Sequence, residues 1–142
     1  MSTRCRIGID KGDGVIRSIY CHLDGYPEGV GAVLRDHYRL VSKADKLIRL
    51  GDISTLGPEP VSCPENWDIS TNPFYEGPEL TLAYRDRPGE KYFKPRTSET
   101  YEDFFNLCNG VDYAYIFDAQ KKDWKIYTHN GNYLGWVSEV IK

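Results

Sequence analysis

Apolar and polar residues alternate from Arg4 to Asp10, with Ile7 and Ile9 on one side, and the alternation resumes from Val15 to Leu23. A period of two marks a strand half buried in a sheet. Between the two runs, Lys11-Gly12-Asp13-Gly14 offers the positive φ values of a tight turn, so an N-terminal hairpin is predicted. In its second strand Val15, Arg17, Ile19, Cys21 and Leu23 make the more apolar side, while Ile16, Ser18, Tyr20 and His22 make a mixed one. One face of the sheet is therefore expected to be deeply covered. From Glu28 to Val41 the period lengthens: Val30, Val33, Leu34, His37, Tyr38 and Val41 recur at steps of three and four, as on one side of a helix. Gly29 and Gly31 weaken its first turn by about 1 kcal/mol each, a penalty that points to close packing there. Ser42 and Asp45 suit the cap and first turn of a second helix, with Ala44, Leu47 and Ile48 inward and Gly51 beyond its end.

The pattern lapses over 52–79, where five prolines and two glycines fall among Trp67, Ile69, Phe74 and Tyr75. So many large apolar side chains suit an ordered lid or binding loop with a short strand or turn inside it, and not a linker between domains. Residues 1–142 are read as a single domain. Alternation returns from Leu80 to Arg87, with a turn at Pro88-Gly89 and Lys91 to Lys94 as a hairpin partner. Thr100 and Asp103 fit the start of a short helix over Tyr101 to Cys108. Val111 to Asp118 and Asp123 to His129 form the strongest later hairpin, and Tyr133 to Ile141 is a last strand or a docked turn of helix. The sum is an α+β domain: a largely antiparallel sheet of five to seven strands built from hairpins, with two or three short helices packed on one face. Consecutive hairpins argue against βαβ winding.

Composition narrows the function. Eighteen basic and 21 acidic residues leave a net charge of -3, too little to draw the whole surface to nucleic acid or an anionic membrane, and no run of four Lys/Arg exists. Asp112 and Asp118 make one strand face acidic, against nucleic-acid binding. No apolar run reaches the roughly 18–20 residues of a membrane span, and the opening MSTRCRIGID lacks the apolar core of a signal peptide. A cytoplasmic protein with reduced thiols is expected, since Cys5, Cys21, Cys63 and Cys108 include no CxxC pair. His22, His37 and His129 are scattered, and Cys21 and His22, as strand neighbours, point to opposite faces, so neither a metal nor a cofactor is expected.

The densest cluster of polar, aromatic and glycine residues runs from Tyr20 to Gly29, where a strand meets a helix. His22 and Asp24 share a parity, and a His–carboxylate pair facing one way can serve as an oriented general base. The structural alternative has Asp24 capping the turn, Pro27 opening the helix and His22 bonded to the backbone. No nucleophile stands out, because Cys21 faces away from His22. Tyr20, His22, Asp24, Gly25, Tyr26 and Glu28, with Trp67 and Tyr75 from the long loop, form the expected binding set. GYPEGVG is not a GxGxxG fingerprint, although the helix start after it offers amides to an anion. His37 is expected to be partly buried and hydrogen bonded. Tyr113, Tyr115 and Phe117, beside Trp124 and Ile126, are core if helices cover them and a platform for a partner if not; core is expected.

The stretch from Ser18 to Gly31 (SIYCHLDGYPEGVG), followed by Leu34, His37-Tyr38 and Leu50-Gly51-Asp52-Ile53-Ser54-Thr55-Leu56-Gly57, resembles a family of small uncharacterised proteins of bacteriophages, prophages and other mobile elements. The likeness covers about the first 57 residues and includes the opening Met1-Ser2-Thr3-Arg4; family members commonly carry Trp where this chain has Leu23. The resemblance implies a setting in phage–host conflict and assigns no catalytic residue. The expected function is a non-enzymatic binding protein acting on a host protein or small signal molecule, with an anti-defence role. The alternatives are a small hydrolase or nucleotide-processing enzyme using His22 and Asp24, and a virion-associated structural component. Pairing of exposed sheet edges makes a homodimer the expected oligomer.

Overall fold

The computed structural model describes residues 3–60, 81–86 and 93–141. The N-terminal hairpin is formed by β1 (Cys5–Asp10) and β2 (Ile16–Cys21), antiparallel with Asp10 opposite Ile16. Asp10 fastens the turn, its Oδ1 accepting the backbone N–H groups of Gly12 (2.8 Å) and Gly14 (3.3 Å). After β2 the chain makes a wide π-type turn over Pro27–Gly31, runs into α1 (Ala32–His37), and re-enters helix at α2 (Val41–Arg49). The helix start expected at Ser42 falls at Val41, because the Leu40 carbonyl takes the Ala44 N–H (2.9 Å) and no side chain caps it. Asp45 thus lies in the second turn, where it pairs with Lys11 (3.1 Å) and Arg49 (2.8 Å).

A short strand, β3 (Ile53–Thr55), follows, and then β4 (Leu82–Ala83) with a 3-10 turn at Tyr84–Asp86. Next come β5 (Arg96–Ser98) and α3 (Tyr101–Leu107), and the chain closes with β6 (Tyr113–Asp118), β7 (Asp123–Thr128), β8 (Tyr133–Trp136) and α4 (Val137–Val140). The cap on α3 is the one expected, with Thr100 Oγ1 accepting the Asp103 N–H at 3.0 Å. The tail is both of its alternatives in succession, a strand and then a helical turn.

Eight strands among the described residues make one sheet in the order β4-β3-β2-β1-β6-β7-β8, with β5 also on β2. Most pairs are antiparallel, as the hairpins predicted. Two are parallel, β1 with β6 and β2 with β3, the latter by a single pairing of Cys21 with Ile53. One β-helix-β crossover is therefore present, because the two helices between β2 and β3 span enough chain to return it in the same direction. The hairpin expected between Leu80–Arg87 and Lys91–Lys94 falls partly outside the described residues, and the flanking segments that are described pair elsewhere. β4 joins β3, and β5 joins the first half of β2, leaving its last residue to β3. Lys91, Tyr92 and the Pro88-Gly89 turn lie outside the described residues.

The larger core follows the apolar side read from the sequence. Cys5, Ile7, Ile9, Ile19 and Cys21 meet Tyr115, Phe117, Trp124 and Ile126 beneath Val30, Leu34, Ala44, Leu47, Ile48 and Val137. The aromatic row on β6 and β7 is core, as expected. Its large members bury their polar ends satisfied: Trp124 Nε1–H donates to the Tyr38 carbonyl, Tyr38 O–H to that of Gly57, and Tyr115 O–H to that of Gly25, each at 2.7 Å. The expectation that every helix lies on one face needs correction. The mixed side of the sheet carries its own apolar strip, Ile16, Ala114 and Ile116, and α3 covers it with Phe104 and with Cys108 at its C-terminal end. Burying such side chains is worth about 1.5–3 kcal/mol each, which is reason enough for a helix on the second face.

Cys5, Cys21 and Cys108 are free and buried, with Cys5 directly opposite Cys21; Cys63 lies outside the described residues. Burial pushes the Cys5 thiol well above its usual range and that of Cys108 up to about 11. Among the described residues no helix is long and apolar enough to cross a membrane.

Candidate functional site

The corner after β2 is built mainly from backbone bonds. The His22 and Leu23 N–H groups continue along β3, donating to the carbonyls of Ile53 (3.1 Å) and Ser54 (2.9 Å). Asp24 then takes a left-handed conformation, φ +57°, which an aspartate tolerates better than most residues, and the chain turns away from the sheet. Gly25 is locked on both sides: its N–H donates to the Thr3 carbonyl (2.8 Å) and its carbonyl accepts Tyr115 O–H. The Asp24 carbonyl accepts the Val30 N–H at 2.8 Å, closing the wide turn. Gly29 and Gly31 are there for packing. A Cβ on Gly29 would lie well inside 3.0 Å of the Asp24 carbonyl oxygen, and one on Gly31 would meet Ile141 Cδ1 at 2.7 Å.

Between this turn, α1 and the residues after β3 lies an open hollow of about 290 Å³. Leu23, Val30, Val33 and Leu56 give it apolar walls, while Asp24, Tyr26, Glu28, Asp36 and His37 bring polar groups to it. Asp36 is engaged: Arg35 holds it through two bonds, 2.8 and 3.2 Å, which keeps its carboxyl below the usual range. The Asp24 and Glu28 carboxylates have no hydrogen bond or ion pair within the described residues. The hollow is thus rimmed by two free negative charges over an apolar floor. Such a shape suits a group with an aliphatic stem and a cationic end.

The sequence-derived set is divided by the structure. Asp24, Tyr26 and Glu28 come together at the hollow, while Gly25 is buried in the corner behind it. His22 goes elsewhere. It extends the face of Tyr20, whose hydroxyl is 2.8 Å from His22 Nδ1, and burial pushes the Tyr20 phenol up. No hydrogen bond or ion pair joins His22 to Asp24, because β2 ends at Cys21 and the left-handed Asp24 breaks the parity on which their pairing depended. Trp67 and Tyr75 lie outside the described residues. His37, expected in the apolar stripe, is exposed at the rim of the hollow; Leu34 and Tyr38 carry the stripe instead. Val33, Thr55 and Leu56 complete the hollow, and none of the three belongs to the binding set expected from the sequence. Among the described residues no three His, Cys, Asp or Glu side chains gather to hold a metal ion.

No protein-family model, no curated protein and no solved structure matches the chain.

Proposed function

We propose that this chain is a non-enzymatic binding protein that engages a host protein by taking one of its basic side chains into the corner hollow. The observation that carries this reading is the pair Asp24 and Glu28, two carboxylates without a partner among the described residues, at the mouth of an apolar-walled hollow. A Lys or Arg stem lies against Leu23, Val30 and Leu56 while its charge meets the two carboxylates. Tyr26 beside them is 40 % exposed and is the residue type that anchors protein interfaces. The mobile-element setting implied by the resemblance makes a host defence protein the class of partner, met in the host cytoplasm. A small signal molecule bearing an ammonium or guanidinium is the second reading, favoured by a volume near the lower end of small-ligand pockets. The divergence of His22 and Asp24 supports binding over a hydrolase built on those two residues. At the sheet edge, β8 leaves Tyr133 and Leu134 exposed, which supports a homodimer paired across that strand.

The test is affinity capture from bacterial host lysate with the wild type, with Asp24→Asn combined with Glu28→Gln, and with His22→Ala. Asparagine keeps the left-handed backbone at position 24, so the double variant removes charge alone. The wild type and His22→Ala are expected to retain the same defined protein and the double variant to lose it. Equal capture by the double variant refutes the reading. Mass spectrometry of metabolites released from the purified protein decides for the small molecule if a cationic compound is lost in the same variant.

A further inference from the structure

On the opposite face of the sheet, the one covered by α3, β1 turns Arg6 inward. The residue is only 6 % exposed. Its Nε donates to Ser18 Oγ at 2.8 Å and one terminal nitrogen reaches the Ser18 carbonyl at 3.4 Å. Among the described residues no carboxylate lies within 4.0 Å of it and its other terminal nitrogen has no acceptor. Burying a guanidinium without a direct ion pair is expensive, and a serine hydroxyl does not neutralise it. An apolar side chain at this position would spare that expense, so the charge calls for a use.

The surroundings add a second cation. Arg96 on β5 stands directly opposite Ser18, and Arg6 stands opposite Tyr20, so β1, β2 and β5 bring both arginines to the same face. Asp52 is also near, close enough for its charge to act on Arg6, as does that of Arg96. Its Oδ1 accepts the Tyr20 N–H at 2.9 Å, and it forms no ion pair with either arginine. Among the described residues, two guanidiniums against one carboxylate leave a positive balance, with one arginine buried and the other exposed. His22 lies beyond Tyr20, one ring nitrogen occupied by the Tyr20 hydroxyl.

We infer that Arg6 and Arg96 form a binding site for the phosphoryl group of a small phosphorylated molecule, separate from the corner hollow and on the other face of the sheet. A phosphoryl group presents several oxygens in a tetrahedron. It can take the free edge of the Arg6 guanidinium and the fork of Arg96 at once, which a single planar carboxylate does less well. Inorganic phosphate and a phosphate ester share this chemistry.

Thermal unfolding and isothermal titration test it, with inorganic phosphate and ribose 5-phosphate as probes and chloride at matched ionic strength as the reference. The wild type is expected to gain melting temperature saturably with both probes over chloride; a response to the ester alone assigns the site to phosphate esters and to inorganic phosphate alone to the free ion. Arg96→Gln, at an exposed position, should weaken binding on the order of tenfold through the loss of a charge-assisted contact. Arg6→Met should abolish the response and, in the absence of phosphate, leave the melting temperature equal to or above that of the wild type. No response beyond chloride in the wild type overturns the inference. So does an unchanged response in Arg96→Gln, which decides the matter should Arg6→Met fail to fold. A folded Arg6→Met that melts lower and keeps the phosphate response makes Arg6 a structural strut, and overturns it as well.

Discussion

The corner after β2 is held by a close approach that a single methyl group would break, and Gly29→Ala tests it. A Cβ at position 29 would sit well inside 3.0 Å of the Asp24 carbonyl oxygen, a separation real Cβ atoms essentially never show. The obstacle is backbone, so no rotamer change relieves it. Either the turn opens or the Asp24 carbonyl moves, and the carbonyl is the acceptor of the 2.8 Å bond from Val30 N–H that closes the turn. Overpacking of this kind costs about 1–3 kcal/mol. Weakening the Val30 bond adds about 1 kcal/mol, and the better helix propensity of alanine returns up to about 1 kcal/mol. With the propensity returned in full the net loss is about 1–3 kcal/mol, or a fall of about 3–10 °C in Tm for a chain of this size. Gly14→Ala is the control. Its φ is +79° with nothing within 4 Å of an added Cβ, so only the left-handed strain of about 1–2 kcal/mol applies. Chemical denaturation of both variants, read at equal m-values, gives the two losses directly. If Gly29→Ala loses no more than Gly14→Ala, the corner is not closed by that contact and its rigidity has another source.

Tyr115→Phe should cost about 1–3 kcal/mol in denaturant unfolding, since the buried Gly25 carbonyl loses the hydroxyl that donates to it. For Asp10, burial alone would raise the carboxyl pKa, but the Gly12 N–H, the Tyr101 hydroxyl, the Gly14 N–H and the Lys125 charge outweigh it and hold the group below the usual range. Its folded pKa being depressed, it stabilises the fold above the unfolded value of about 3.9 and loses that contribution as pH falls through the folded value. Asp10→Asn should therefore flatten the acid limb of a stability–pH curve below about pH 4 while lowering stability near neutrality, and an unchanged acid limb would refute the assignment. Leu134→Lys, at 45 % exposed on the β8 edge, should convert the proposed homodimer to a monomer in sedimentation or gel filtration without lowering the monomer's Tm.

What could be read from the sequence was what local pattern governs. The two hairpins around Lys11–Gly14 and Ala119–Lys122 are announced by alternation and turn chemistry within a dozen residues of each other, and both are formed. Thr100 caps its helix because the bond to Asp103 N–H spans three residues and needs nothing else. The parallel pairing of β1 with β6 was hidden, since it joins segments from opposite ends of the chain and depends on which apolar faces match. β5 was hidden for a similar reason: Arg96-Thr97-Ser98 has no apolar alternation, and only the free edge of β2 makes it a strand. At the site, the concentration of Asp24, Tyr26 and Glu28 between strand and helix was visible. The parity argument that joined His22 to Asp24 failed because parity holds only while the backbone stays extended, and Asp24 is left-handed. Arg6 gave no signal at all. On a mixed strand face an arginine reads as solvent-facing, and it becomes buried here because α3 and β5 cover that face.

The way the corner is built bears on what it can do. Its backbone is tied to the segment before β1 through Gly25 and Thr3, to β3 through His22 and Leu23, and to β6 through Tyr115, so two strands and the chain leading into a third fix it before any ligand arrives. A rim set in place in this way forfeits little ordering entropy on association, and the two carboxylates stand where a partner's charge would meet them. A catalytic centre at the same place would need a base and an orienting group turned towards one reacting atom. The chain instead sends His22 to one face and Asp24 to the other, and the left-handed turn that separates them is the same one that presents Asp24 to the hollow. The turn that builds the proposed binding rim therefore removes the dyad. Restoring an extended backbone at position 24 to recover the dyad would take the Asp24 carbonyl from Val30 and dismantle the hollow, so this corner can serve one of the two purposes and its bonds favour the rim.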